Sequence, residues 1–195
     1  MKNKLTKIYL NKNLLPFLFL SLVLISFSAA AQQMKKNSIY IELGGNGILY
    51  SANYDRIIPI STHFKLAPRV GFEFIPRNKK DAPTYGKWSF PLELNILYSK
   101  KTESKNFFEG GIGLSLFNLV SNYKLNSNNE IIDTEVKTAK VTVLRLGFRH
   151  QKPEGGLMYR AGLLVKLSQD DYSKSRVGDD LFYKLWPGFS VGYSF

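Results

Sequence analysis

The chain has 195 residues, 27 Lys and Arg against 15 Asp and Glu, a formal charge of +12, and no cysteine. Without cysteine there is no disulfide framework and no lipid attachment through a thiol. The basic residues alternate with aromatics and acids instead of clustering, which argues against a nucleic-acid surface.

Lys2, Lys4, Lys7 and Lys12 precede an apolar run from Leu14 to Phe27, and the first acidic residue is Glu42. The run closes on Ala29-Ala30-Ala31, with Gln32 as the expected first mature residue. Basic start, apolar middle and small-residue site are the order of a secretory signal peptide. A membrane anchor is the competing reading, but the run falls short of the ~20 residues a span needs, and Pro16 interrupts its start. Residues 1–31 are therefore expected to be a cleavable signal peptide and 32–195 the mature domain. No later apolar run could form a transmembrane helix, so a membrane-inserted mature chain must close into a barrel to satisfy its backbone.

Beyond residue 37 the pattern is alternation, the mark of a strand with two unlike faces. Ser38 to Asn46 sets Ile39, Ile41 and Leu43 against Tyr40, Glu42 and Gly44, and Gly44 to Gly47 reads as a tight turn. Ile48 to Ile57 sets Tyr50, Ala52 and Tyr54 against Ser51, Asn53 and Asp55. His63 to Ile75 sets Phe64, Leu66, Val70, Phe72 and Phe74 against Lys65, Arg69, Gly71 and Glu73, before an expected loop at 76–87. Trp88 to Ser99 sets Phe90, Leu92, Leu94 and Ile96 against Ser89, Glu93 and Asn95. Phe107 to Asn118 sets Phe108, Ile112, Leu114 and Leu116 against Glu109, Gly111, Gly113 and Ser115. An Asn-rich loop is expected at 119–137, with Ile131, Ile132 and Val136 as an optional extension of the strand arms.

Thr138 to Arg149 sets Leu144, Leu146 and Phe148 against Arg145, Gly147 and Arg149. Leu157 to Ser168 sets Tyr159, Ala161, Leu163, Val165 and Leu167 against Arg160, Gly162 and Lys166, followed by a loop at 169–182. The last strand, Tyr183 to Phe195, sets Leu185, Phe189, Val191, Tyr193 and Phe195 against Gly188, Ser190, Gly192 and Ser194. That makes eight strands, joined alternately by short turns and long loops after the first turn. The fold class is all-β: an eight-stranded antiparallel transmembrane up-and-down barrel.

A soluble lipocalin-like barrel would also have eight strands. The interior of such a barrel is only just wide enough for side chains. About five large apolar residues per strand exceed that volume, whereas the glycine-rich parity suits it. The apolar face should therefore point outward to lipid, with the aromatics at its borders. By the same parity the lumen is polar, holding Glu42, Asp55, Glu73, Glu93 and Glu109 with Lys65, Arg69, Arg145, Arg149, Arg160 and Lys166. Mixed charges in a narrow lumen should pair, because an unpaired charge away from water is costly. A structural network that closes the barrel is preferred over an ion path; if water entered, the basic excess would slightly favour anions.

The segment Gly47 to Arg56 after a glycine turn, the glycine-rich fifth strand and the Tyr193-x-Phe195 ending resemble small Gram-negative outer-membrane β-barrels. These are grouped as porin-family or outer-membrane-protein-A-like barrels. The resemblance implies an outer-membrane location, outer-membrane lipid and lipopolysaccharide as surroundings, and a monomer. It also implies recognition of Tyr193 and Phe195 by the barrel assembly machinery. The C-terminal peptidoglycan-binding domain of some relatives is not expected here.

Some relatives modify lipid A, so catalytic chemistry must be weighed. A hydrolase needs its nucleophile beside a base. Both histidines, His63 and His150, are placed by parity and loop lengths at the periplasmic rim, away from the outer leaflet. No catalytic residue, cofactor or metal site is expected. Asp170-Asp171 and Asp179-Asp180 lack calcium-loop spacing. Tyr172, Lys174 and Arg176 in the same loop could meet sugars or phosphates. The expected function is structural or surface-interacting, through loops 76–87, 119–137 and 169–182. A narrow passive pore and a lipid A-modifying enzyme are the alternatives.

Overall fold

The computed structural model describes residues 35–47, 49–74, 85–177 and 184–195. The expected signal peptide lies outside these residues. Chain order is β1 (Asn37–Gly44), β2 (Tyr50–Arg56), β3 (Ile58–Pro59), β4 (Phe64–Phe74), β5 (Tyr85–Tyr98), β6 (Asn106–Leu125), β7 (Ile131–Gln151), β8 (Gly156–Gln169), α1 (Asp171–Val177) and β9 (Leu185–Ser194). Every pairing is antiparallel between neighbours in sequence, apart from two. β9 returns to β1, with Ser38 opposite Ser194 and Glu42 opposite Ser190. β2 pairs β4, with Ala52 opposite Phe72 and Asp55 opposite Arg69.

These two pairings close the sheet on itself. β2 and β3 are one stave interrupted at Ile57, whose amide donates to Lys36 O at 2.7 Å while its side chain is buried. The nine segments therefore form an eight-stave up-and-down barrel, as the alternation implies.

Orientation follows the parity. Large apolar side chains point outward on every stave, including Ile41, Tyr54, Phe72, Leu94, Ile112, Leu146, Leu163 and Val191. Outward aromatics gather toward the two ends. Phe72, Phe74 and Trp88 pack with ring centroids about 5 Å apart at one end, and Phe64 meets Tyr98 at 5.2 Å at the other. A barrel with greasy outer staves and polar residues inside inverts the arrangement of a water-soluble domain.

Three loop expectations need correction. Residues 119–137 are mostly strand: β6 and β7 run on as a ribbon, with Val120 opposite Val136 and Lys124 opposite Asp133. Its β-branched and aromatic residues favour extended backbone, and the tip is confined to 126–130. There Asn126 Oδ1 accepts from Asn128 N at 3.0 Å and Glu130 N at 2.8 Å, while Asn129 takes a positive φ of 59°. The loop expected at 76–87 gives up Tyr85, Gly86 and Lys87 to β5, and its remainder to residue 84 lies outside the described residues. The loop expected at 169–182 contains α1, capped by Asp170, whose Oδ1 accepts from Ser173 N at 2.8 Å.

Candidate functional site in the barrel lumen

The inward residues fall into layers along the axis. The central layers hold four arginines and four carboxylates in one connected network. Arg69 meets Glu42 at 2.6 Å and Glu93 at 2.9 Å. Arg145 bridges the same two acids at 2.7 and 2.9 Å. Arg160 reaches Glu93 at 3.2 Å and Glu109 at 2.7 Å. Arg149 pairs with Asp55 and lies 3.5 Å from Glu109. All eight side chains are almost completely buried.

Neutral partners take several of the remaining hydrogen-bonding directions, while Arg149 Nε and Arg160 Nε are buried without a hydrogen-bond partner among the described residues. Arg69 Nε donates to Asn53 Oδ1 at 3.0 Å, Arg160 Nη1 to Tyr40 Oη at 2.6 Å, and Ser190 Oγ to Glu42 Oε1 at 3.2 Å. The Tyr40 ring also stacks between two guanidiniums, 5.6 Å from Arg69 and 5.4 Å from Arg160. Such partners offset part of the cost of burying the ions, each of which has lost its water.

Three of the expected lumen residues lie apart from the network. Lys65, toward the short-turn end, sets its ammonium 4.9 Å above the Phe107 ring. Glu73 accepts from Leu49 N at 2.7 Å and Tyr50 N at 3.2 Å, bracing the turn after β1. Lys166 donates to Gln169 Oε1 at 3.2 Å near the end of β8. The network itself is balanced, four charges of each sign, so the basic excess that would favour anions is not found within it.

The lumen is also less polar than parity reasoning implied. At the short-turn end Ile57, Ala67, Leu97 and Phe107 form a buried apolar cluster. At the other end Phe117, Leu119, Ala139, Val141, Val143 and Leu164 form a second, with Tyr172 of α1 and Trp186 packed against it. These residues share the inward parity of Glu109, Arg145 and Arg160, so the signal was present but was overshadowed by the charges.

The turn expected at Gly44 to Gly47 takes a direction that the sequence reading did not contain. The turn after β1 folds into the barrel, and Asn46 becomes fully buried. Asn46 Nδ2 donates to Leu92 O at 3.0 Å, and Ser115 Oγ lies 2.5 Å from both Asn46 O and Asn46 Oδ1. Trp186 Nε1 donates to Gly45 O at 2.6 Å, tying the turn to β9. Gly44 and Gly45 adopt φ of 64° and 67°, a left-handed conformation that glycine takes most readily. Gly113 makes room, since a Cβ there would sit 2.6 Å from Asn46 Nδ2. Glycine turns are legible in sequence; the direction in which they fold is not.

His63 and His150 both sit at the short-turn end. His63 Nδ1 is 3.0 Å from Ser99 O; His150 Nδ1 is 2.7 Å from Asn106 Oδ1, with its ring stacked on Tyr159 at 4.6 Å. No group of three His, Asp or Glu suited to a metal occurs among the described residues. Asp170 is engaged as a helix cap, Asp171 is exposed, and Asp179, Asp180 and the Arg176 side chain lie outside the described residues. Tyr193 and Phe195 are exposed outward, and Phe195 exchanges backbone hydrogen bonds with Asn37 at 2.8 and 3.1 Å.

No family model and no curated protein matches the chain. Among solved structures it is similar to the N-terminal β-barrel domain of Pseudomonas aeruginosa OprF. The identity is 14% and the TM-score 0.48, over 84% of this chain and 100% of that one.

Proposed function

We propose that this protein is an integral outer-membrane barrel with a closed lumen, serving a structural or surface-interaction role. The observation that carries the reading is the apolar exterior on all eight staves around a neutral, buried ion network. In water that exterior would be a continuous apolar belt far beyond what soluble monomers tolerate. In a bilayer it is matched to hydrocarbon, and closure leaves no strand edge exposed to lipid. The long-connection end would face outside, presenting the β6–β7 ribbon and α1 to partners. Outer-membrane lipid and lipopolysaccharide would surround a monomer, and the assembly machinery would read Tyr193 and Phe195 during insertion. The reading includes no catalytic chemistry, cofactor or resident metal.

Two measurements on the purified protein test it. The folded barrel is expected to migrate differently on a gel before and after boiling, and to be silent in a planar bilayer. Identical migration would refute closure of the sheet in solution, and reproducible single-channel steps would replace the closed lumen with a pore.

A further inference from the structure

We infer that the outer face of β9, β1, β2 and β4 holds a phospholipid of the periplasmic leaflet, with an acyl chain in an apolar groove over Ala52 and the phosphate on Arg56. The inference rests on the outer-membrane reading above, which sets the short-turn end, and Arg56 with it, in that leaflet. Outward side chains cross these strands in register. Nearer the short turns the row is Tyr193, Ile39, Tyr54 and Val70; the next row is Val191, Ile41, Ala52 and Phe72. Ala52 is the small residue between Ile41 and Phe72, so the wall dips there. The groove encloses about 700 Å³ and is lined by apolar side chains of both rows.

Hydrogen bonds keep the groove open. Ala52 is flanked along β2 by Tyr50 and Tyr54. Tyr50 Oη donates to Phe74 O at 2.6 Å across on β4, and Tyr54 Oη donates to Asn37 Oδ1 at 2.9 Å at the start of β1. Each ring is tied away from Ala52, which stays exposed. Asn37 Oδ1 also accepts from Arg56 Nη1 at 3.3 Å, holding the guanidinium beside Tyr54 at the foot of the groove. Arg56 is exposed and makes no ion pair among the described residues. The chain before residue 35 contains no Asp or Glu, and the connections holding residues 75–84 and 178–183 leave the barrel at the opposite end. A guanidinium fork suits a phosphate, and the groove above it suits hydrocarbon. Together they match a single molecule that joins the two. A second copy docked through the same face would instead bring two guanidiniums to one level of the membrane, with like charges opposed.

The test uses the full-length protein folded in neutral detergent, with the gel-mobility difference confirming the barrel for every variant. Native mass spectrometry follows binding during titration with phosphatidylglycerol, with diacylglycerol of the same chains, and with glycerol phosphate alone. Whole phosphatidylglycerol should be retained in preference to either fragment. Affinity should fall about fivefold in Arg56→Gln, the share of one basic residue beside an anionic headgroup. It should fall at least about threefold in Ala52→Leu, whose larger side chain fills the groove. Should Ala52→Leu lose the mobility difference, Ala52→Val is read in its place. Lys105→Gln at the same rim and Ala161→Leu on the outer face of β8 should leave binding unchanged. Equal retention of diacylglycerol, or equal losses in the two controls, would overturn the inference. So would glycerol phosphate binding as tightly as the lipid, or a lipid-free dimer that Ala52→Leu abolishes, which would give the groove to a second copy. A barrel that shows the mobility difference yet no dependence on Arg56 or Ala52 would remove the groove site alone and leave the outer-membrane reading standing. A chain with no mobility difference would remove both.

Discussion

Replacing Glu93 with glutamine probes the lumen at its most connected point. Glu93 contacts Arg69 and Arg145 at 2.9 Å and Arg160 at 3.2 Å, all with buried side chains. The substitution keeps the shape, removes one charge and leaves four guanidiniums facing three carboxylates. At such separations each direct attraction is about 5 kcal/mol at an effective dielectric of about 20. Part of that sum is returned, because glutamine still accepts a hydrogen bond and a carboxylate no longer has to be desolvated. The net loss expected for breaking a buried ion set is about 3–5 kcal/mol. Urea unfolding of the protein folded into lipid vesicles, followed by tryptophan fluorescence and by band shift, measures it. The charge-balanced pair Glu93→Gln/Arg145→Gln should recover at least about 1 kcal/mol of the loss, since no excess cation remains. A Glu93→Gln loss below about 1 kcal/mol would refute the reasoning, because it would mean that water reaches and screens the network.

Other substitutions separate the outer wall from the inner one. Leu94→Arg places a charge on the outward face at mid-stave and should cost about 2–4 kcal/mol in vesicles; a change within about 0.5 kcal/mol, normal for a solvated surface, would contradict the lipid-facing exterior. Gly113→Ala drives a methyl to 2.6 Å from Asn46 Nδ2 and 2.8 Å from Val143 Cγ2. It should destabilise by about 1–3 kcal/mol and speed hydrogen exchange in the turn after β1, whereas unchanged exchange there would show that the turn is held by something else. Deleting Phe195 removes its reciprocal bonds with Asn37. The heat-modifiable fraction in cell membranes should fall while refolding of the purified chain persists, and an unchanged fraction would dissociate Phe195 from assembly.

Strand positions, closure and the inward parity of the charged residues were readable because period-two alternation fixes which side chains share a face; membership of the ion network was not, since Lys65, Glu73 and Lys166 share that parity and lie apart from it. Once the apolar parity is too bulky for an eight-stave interior, Glu42, Arg69, Glu93 and Arg145 must point inward together. Which acid meets which base was not readable, since that depends on stagger between staves; Glu42 and Arg145 lie 103 residues apart in the chain. The β6–β7 ribbon was obscured because Asn122, Asn126, Asn128 and Asn129 read as loop chemistry, although cross-strand pairing sets Asn122 opposite Glu135 and confines the other three to the tip. The inward fold of Asn46 depended on space left by Gly113 across the barrel, a long-range fact that no local window contains. The apolar clusters around Phe107 and Phe117 were missed for a simpler reason: parity assigns a direction, and the charges on that parity suggested a uniformly polar interior.

The ion network also constrains how the sequence can change over time. Its eight members are spread over every stave except β9, which joins through Ser190. No member can be swapped for a neutral residue without stranding an opposite charge, so drift at these positions should proceed in couples, an acid and a base lost or exchanged together. Outward positions such as Ile41 or Leu163 face no such bookkeeping and are free to wander among greasy residues one at a time. On this account the heart of the barrel should change slowly because it is ionic, and its hydrocarbon coat should change fast.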